Sequence, residues 1–331
     1  MKNSSSGLMS KIPHIGSAYR IALISCVLML ISAGCSSTSN SSSEDQLTVK
    51  LGAIAKVPIY WPFYGAVALG YAKEEGIKLD IVTIDEPGCL RGMVSGSLDV
   101  CPTGGDSVIR TAELGAGIKI FATDIDPTRN SIIVDPKKIQ SWGNLKGKVI
   151  SAQAPKVGSS VIAAATMAAN GLDPKDVTFL TVGGTAARYA ALVSGKVDAA
   201  IVSQPQDFIA VDEGYAVLGR ADDSTSLGTY MSSIPKGQSA EMAEAIQRLR
   251  RAMQRANDWL KDPDNRDAAI DLWAKEFKMK PQYAEQSIDL IAPGFDTSVD
   301  LSSIKRDIKI TARYGGVERT IPAEELVDNR D

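Results

Sequence analysis

The stretch VSGSLDV at 94–100 returns as VSGKVDA at 193–199. Each copy follows an apolar run with helical spacing and leads into a short apolar run that reads as a strand. Each strand then gives way to a polar loop that ends in an aspartate: CPTGGD (101–106) in the first copy, SQPQD (203–207) in the second. A helix–Ser-Gly–strand junction is common in isolation. Two copies at matching places in two strand–helix series point to two similar α/β halves facing each other.

Working outward, LTVKLGAI (47–54) reads as a strand, VPIYWPFY (57–64) as a Pro/aromatic loop, and AVALGYAKEEG (66–76) as a helix stopped by Gly76. A strand at 77–84, a helix near 88–96, a strand at 98–101, a helix from about 105 and a strand at 118–125 complete the first series. The second opens with NLKGKVISAQ (144–153). It continues with a helix at 159–170, a strand at 177–182, a helix at 184–194, a strand at 197–202, a helix at 206–213 and a strand at 215–219. Such alternation predicts mostly parallel sheets flanked by helices. From 239 the chain turns helical. Met242, Ile246, Leu249, Met253, Ala256 and Leu260 recur every three or four positions, the apolar face of a long core-packing helix.

The chain has 331 residues, 44% hydrophobic and 23% charged, with 36 basic against 39 acidic side chains. A net charge of −3 excludes a dominantly basic nucleic-acid binder. Lys2, Lys11 and Arg20 precede a 14-residue apolar run, IALISCVLMLISAG (21–34). That run suits the core of an export signal and is short for a stable membrane span. It ends at Ser32-Ala33-Gly34-Cys35, which resembles a bacterial lipobox, where the cysteine is acylated and becomes the new N-terminus. Ser32 stands where a larger aliphatic is usual. The expectation is a signal over 1–34, an acylated Cys35 and a Ser-rich tether over 35–46; an ordinary cleaved signal with an incidental cysteine, or an uncleaved anchor, are the alternatives. The one histidine, His14, falls within the removed segment, leaving no His for Ser-His-Asp hydrolysis, a Cys-His couple or a His-ligated zinc.

In open parallel sheets, ligands bind beyond the carboxyl ends of the strands. Four segments qualify. Tyr60, Trp61 and Phe63 could form a stacking wall or a local hydrophobic plug. Gly104, Gly105, Asp106 and Ser107 combine close backbone approach with a helix N-terminus, although Asp106 could simply cap that helix. Ser159 and Ser160, and likewise Gly184 and Thr185, open further helices. Three helix N-termini around one cleft would favour an anionic group. No GxxxxGK[ST] and no GxGxxG after a strand occurs, so nucleotide binding has no support. Of the four cysteines, Cys26 lies in the signal and Cys35 at its end. Cys89 should start a helix and Cys101 end the following strand, which makes a disulfide feasible; two buried thiols, or one reactive thiol, are the alternatives.

The assembled pattern resembles the periplasmic substrate-binding proteins of ABC importers, in the branch that captures sulfonates and taurine, nitrate, and thiamine pyrimidine precursors. ALGYAKEEGIKLDIV (68–82), VSGSLDVCPTGGDS (94–107), NLKGKVISA (144–152) and VDAAIVSQPQDFIAVDEGY (197–215) carry the resemblance. It implies a type II periplasmic-binding-protein-like fold: lobe 1 from 47–138 and 227–331, lobe 2 from 139–226, with a hinge that lets them close on a ligand. The pocket positions implied are Tyr60 and Trp61 with their loop, Gly104 to Ser107, Ser159, Ser160, Gly184, Thr185, Ser203 and Gln204. No arginine stands in these loops, which weakens a strictly anionic ligand and leaves neutral, aromatic or zwitterionic ones open. The resemblance further implies a monomeric, lipid-anchored extracytoplasmic receptor without cofactor or catalysis, handing solute to a permease and its ATPase. The rivals are an enzyme of the same fold with Asp106 or Asp207 as base, and a ligand-sensing domain for a signalling partner.

Overall fold

The computed structural model describes residues 46–319 and 321–330; the signal, Cys35 and the tether up to residue 45 lie outside them. In chain order the first series comprises β1 (Leu47–Ala53), a 3-10 turn (Pro58–Tyr60), α1 (Trp61–Ala68), α2 (Tyr71–Glu74), β2 (Ile77–Thr83), α3 (Glu86–Ser95), β3 (Val100–Gly104), α4 (Gly105–Glu113) and β4 (Lys119–Ile125). The second comprises β5 (Ser131–Val134), β6 (Val149–Ala152), α5 (Ser159–Ala169), β7 (Thr178–Thr181), α6 (Thr185–Val193), β8 (Ala199–Val202), α7 (Gln206–Asp212) and β9 (Ala216–Arg220). β10 (Thr229–Ser233), α8 (Ala240–Lys261), α9 (Arg266–Glu276), α10 (Pro281–Ile291) and α11 (Leu301–Tyr314) follow.

Two five-stranded sheets result, ordered β2-β1-β3-β10-β4 and β7-β6-β8-β5-β9. β1, β2 and β3 are parallel, as are β6, β7 and β8; β10 and β5 each run antiparallel to their neighbours. The sheets therefore share one topology. Each receives as its antiparallel strand the one that has just crossed from the other half.

The repeated heptapeptide does the same work in both halves. Gly96 and Gly195 take left-handed φ values of 74° and 72°, where a Cβ would be strained, and end α3 and α6. Asp99 then bonds to β1: its carboxylate accepts the Lys50 N–H at 2.8 Å and its own N–H donates to the Lys50 carbonyl at 2.9 Å. Asp198 repeats this on Val149 at 2.9 and 2.8 Å. A side chain that caps an otherwise unpaired strand N–H fixes where β3 joins β1 and where β8 joins β6.

The chain crosses between sheets at 126–130 and returns at 221–228, so the first crossover lies upstream of the boundary expected at 138–139, and β5 belongs to the second sheet. The crossovers run side by side. Thr128 N–H donates to the Leu227 carbonyl at 3.1 Å, the Thr128 and Ser226 hydroxyls meet at 2.9 Å, and Ala221 N–H donates to the Asn130 carbonyl at 2.8 Å. Helix α11 anchors both on the lobe 1 side. Arg306 pairs with Asp126 of the first crossover, and Asp307 accepts the Gly228 N–H of the second at 3.0 Å. Ile304 and Ile308 on either side of these anchors pack in the lobe 1 core, whereas Ile310 and Tyr314 pack against lobe 2.

The expected aromatic loop is instead a 3-10 turn running into α1, with Pro62 in the first helical turn, where its missing N–H costs no hydrogen bond. Cys89 and Cys101 are bonded, with Cα atoms 6.2 Å apart, inside the lobe 1 core. The C-terminal helices cover lobe 1; α8 buries Ile246, Leu249, Met253, Ala256 and Leu260 as the spacing predicts. Among the described residues no helix is long and apolar enough to cross a membrane.

Candidate functional site between the two sheets

The carboxyl ends of the parallel strands of both sheets meet where α4 approaches the loop before α5. Asp106, in the first turn of α4 and wholly buried, accepts the Gly158 N–H across the gap at 2.8 Å and pairs with Arg110. Arg110 also donates to the Lys156 carbonyl at 2.8 Å. On another side, Tyr283 and Gln282 of α10 donate to Asp212, at the end of α7, at 2.8 and 3.1 Å. The lobes are thus held against each other at two places. Gly158 sits at φ 46°, and a side chain there would collide with the Gln153 amide oxygen that caps α5.

Lobe 1 presents acids. Glu86 opens α3 after β2, Asp106 follows β3, Asp124 is the penultimate residue of β4, and Tyr60 closes the turn after β1. Burial pushes the Glu86 carboxyl up to about 7, with the neighbouring Asp106 adding to it and Ser107 and Gly104 opposing. Burial also holds Asp124 well above the usual carboxylate range. The Tyr60 phenol is pushed up by burial and then by the negative fields of Glu86 and Asp124; the turn carrying Tyr60 packs against β4, and Glu86 and Asp106 both flank Gly104. Both Asp124 oxygens and Asp106 Oδ1 are buried without a hydrogen-bond partner among the described residues.

Lobe 2 presents neutral groups and one arginine. Arg188, on the first turn of α6, donates to Ser159 Oγ at 2.7 Å. The one side-chain bond it makes among the described residues is this one, to a hydroxyl, and its Nε is buried and unpaired. Burial brings its guanidinium down to about 10. Thr185 and Ser203 join their two loops through hydroxyls 3.1 Å apart.

Several expected site residues stand elsewhere. Trp61 and Phe63 are fully buried. The Trp61 indole packs on Trp273 and Trp259 and donates to the Ala256 carbonyl at 3.3 Å. Phe63 belongs to the core between β1 and α8. They form the plug rather than the stacking wall, because the helical turn at Trp61 aims both rings inward. Ser160 is consumed by its own loop, donating to the Ala154 carbonyl at 2.8 Å. The anion-cradling expectation also weakens: the Ser159 N–H is taken by Gln153 and the Gly105 N–H by the Gly228 carbonyl. Gln204 turns toward the crossover, donating to the Arg129 carbonyl at 2.8 Å. Asp207 is not a free base: one of its oxygens accepts from Ser131, Gln204 and Arg220, at 2.9 to 3.0 Å. Gly183 and Gly184 are exposed.

Glu86, Asp124, Arg188 and Gln153 were not singled out from sequence. Asp124 carried a signal: a lone acid in the run IKIFATDI, at a strand's carboxyl end. Arg188 lies one helical turn past Thr185, just outside the loop. Among the described residues no cluster could hold a metal ion. A separate groove of about 700 Å³ lies behind lobe 2, between α5 and the end of α11, lined by Ala164, Ala168, Phe179, Arg313 and Tyr314.

Two sheets of one topology, joined by paired crossovers with polar groups at their facing edges, define the periplasmic-binding-protein-like fold. The alkanesulfonate-binding protein SsuA from Xanthomonas axonopodis pv. citri superposes with a TM-score of 0.72 at 20% identity, over 86% of this chain and 98% of that one. The periplasmic nitrate-binding protein NrtA from Synechocystis PCC 6803 gives 0.64 at 16% identity, over 85% and 84%. The desulfurization enzyme DSZB gives 0.62 at 15%, over 85% and 96%. At such identities the likeness establishes the fold alone. The NMT1/THI5-like family model matches residues 58–266, and the chain belongs to that family. No curated protein sequence matches it.

Proposed function

We propose that the protein is the solute-binding component of an ABC importer: it captures a small molecule between its lobes and hands it to a permease and ATPase without chemical change. The observation that carries this reading is the set of buried, unpartnered polar atoms on both facing edges: Asp124, Asp106 Oδ1 and Arg188 Nε. A buried polar group without a partner costs stability, and a ligand held between the facing edges would give these atoms their partners. Asp207, one of the two bases an enzyme reading called on, is engaged by Ser131, Gln204 and Arg220, and no histidine stands beyond residue 14. The apolar run before Cys35 supports export and acylation, with a lipid-anchored monomer facing the periplasm or cell exterior.

The test is a thermal-shift panel of sulfonates, nitrate, pyrimidines, aromatic carboxylates and amines, followed by product analysis of any hit. A solute at about 100 times its Kd stabilises the folded state by about 2.7 kcal/mol. Stabilisation without turnover is expected; conversion of a hit to product would assign an enzyme instead.

A further inference from the structure

Resting on the solute-binding reading, we propose that the solute presents a cationic nitrogen, of the protonated amine or amidinium class, to the lobe 1 rim formed by Asp124, Glu86 and Tyr60. The Asp124 side chain is fully buried and neither of its oxygens has a partner among the described residues, although a carboxylate offers about four acceptor sites. A structural aspartate in such surroundings is normally saturated, as Asp207 and Asp307 are in this same molecule. Asp124 is instead the penultimate residue of a strand, at the sheet edge where ligands of open α/β sheets bind.

The surroundings agree in sign. Glu86 Oε1 and Asp106 Oδ1 both flank Gly104 at the end of β3, 3.7 and 2.9 Å from where a Cβ on it would lie, and the turn that ends at Tyr60 packs against β4, the strand of Asp124. Among the described residues Asp106 alone of these acids has a cationic partner, Arg110, and that pair leaves Asp106 Oδ1 unpaired. Among the described residues neither Asp124 nor Glu86 has an ion-pair partner, so the rim gathers acceptor oxygens that no contacting cation offsets; the field of Arg110 reaches Glu86 from its pair with Asp106. Two or more carboxyls in a low-dielectric pocket cannot all ionise cheaply; a cation seated among them lowers that cost. A bare sulfonate or nitrate finds no counter-ion on this rim and meets repulsion wherever one of these carboxyls is ionised. The ligand named for the nitrate-binding relative is thus the wrong sign for this rim, whatever Arg188 contributes opposite.

Asp124→Asn tests this without knowledge of the natural solute. Asn keeps the shape and removes the charge. Because burial raises the Asp124 pKa, wild-type stability falls as pH rises above the ordinary Asp value. Unliganded Asp124→Asn should therefore melt higher than wild type near about pH 8, the difference fading toward about pH 4. A lower melting point at alkaline pH would make the carboxylate a structural brace and overturn the proposal. Propylammonium and benzamidinium are the second arm, against ethanesulfonate and nitrate. At least one cation should stabilise wild type and lose that effect in Asp124→Asn. Stabilisation by the anions but not the cations overturns the proposal while leaving solute binding intact. No shift with either cation also overturns it, and silence across the whole solute panel would count against the solute-binding reading itself.

Discussion

Replacing Trp61 with alanine separates a core role from a ligand-contacting one. The side chain has no exposed surface, lies in a cluster with Ile125, Trp273, Ile288 and Phe295, and has ring centroids 5.6 and 6.2 Å from Trp273 and Trp259. Truncating a buried tryptophan removes its transfer free energy and leaves a cavity, together about 3–5 kcal/mol. The lost bond to the Ala256 carbonyl adds little, since that carbonyl lies within α8 and keeps its helical N–H donor. Urea unfolding of wild type and Trp61→Ala, followed by circular dichroism, should show the unfolding free energy fall by that amount and the midpoint move down with it, with Trp61→Phe falling less. Solute affinity of the folded fraction should not change. A variant as stable as wild type that no longer binds would refute the packing argument and restore the ring to the pocket wall.

Removing the Cys89–Cys101 bridge with a double serine variant should cost about 3 kcal/mol from loop-closure entropy alone, read as a shift of the denaturant midpoint; no shift would mean the bridge is absent in solution. Gly158→Ala should destabilise the closed arrangement by colliding with Gln153 and straining φ, measured as weaker solute affinity; unchanged affinity would show that this turn relaxes freely. Because the Glu86 carboxyl is raised from 4.5 to about 7 in the folded protein, unliganded stability should fall as pH climbs through that interval. Glu86→Gln should flatten this slope, and an equally steep slope in the variant would assign the effect to other groups.

The parallel strands and their helices were legible because each is a short apolar run with a clear stop, and because the Ser-Gly-x-x-Asp junction occurs twice. The two crossover strands were not. SIIV (131–134) has four residues and no polar alternation, and TYMSS (229–233) is buried throughout yet mostly polar. Their strand character comes from neighbours on both sides, which tertiary pairing supplies and local pattern does not. The first lobe boundary was misplaced for the same reason. In the site, loop composition located Asp106, Ser159, Thr185 and Ser203 at the facing edges. It misjudged Trp61 and Phe63, since a Pro-containing aromatic run also opens a helix. It passed over Asp124 and Arg188, whose meaning lies in lacking partners, a property only the folded molecule reveals.

The central claim is that two matched lobes close on a solute at their facing edges. Ser97 and Lys196 are exposed and occupy equivalent turns of the repeat, one in each lobe. Spin labels at these two positions, with Cys26 and Cys35 changed to serine, report the lobe-to-lobe distance directly. The distance distribution should shift and narrow when a solute that stabilises the protein is added. A distribution identical with and without that solute would contradict the account.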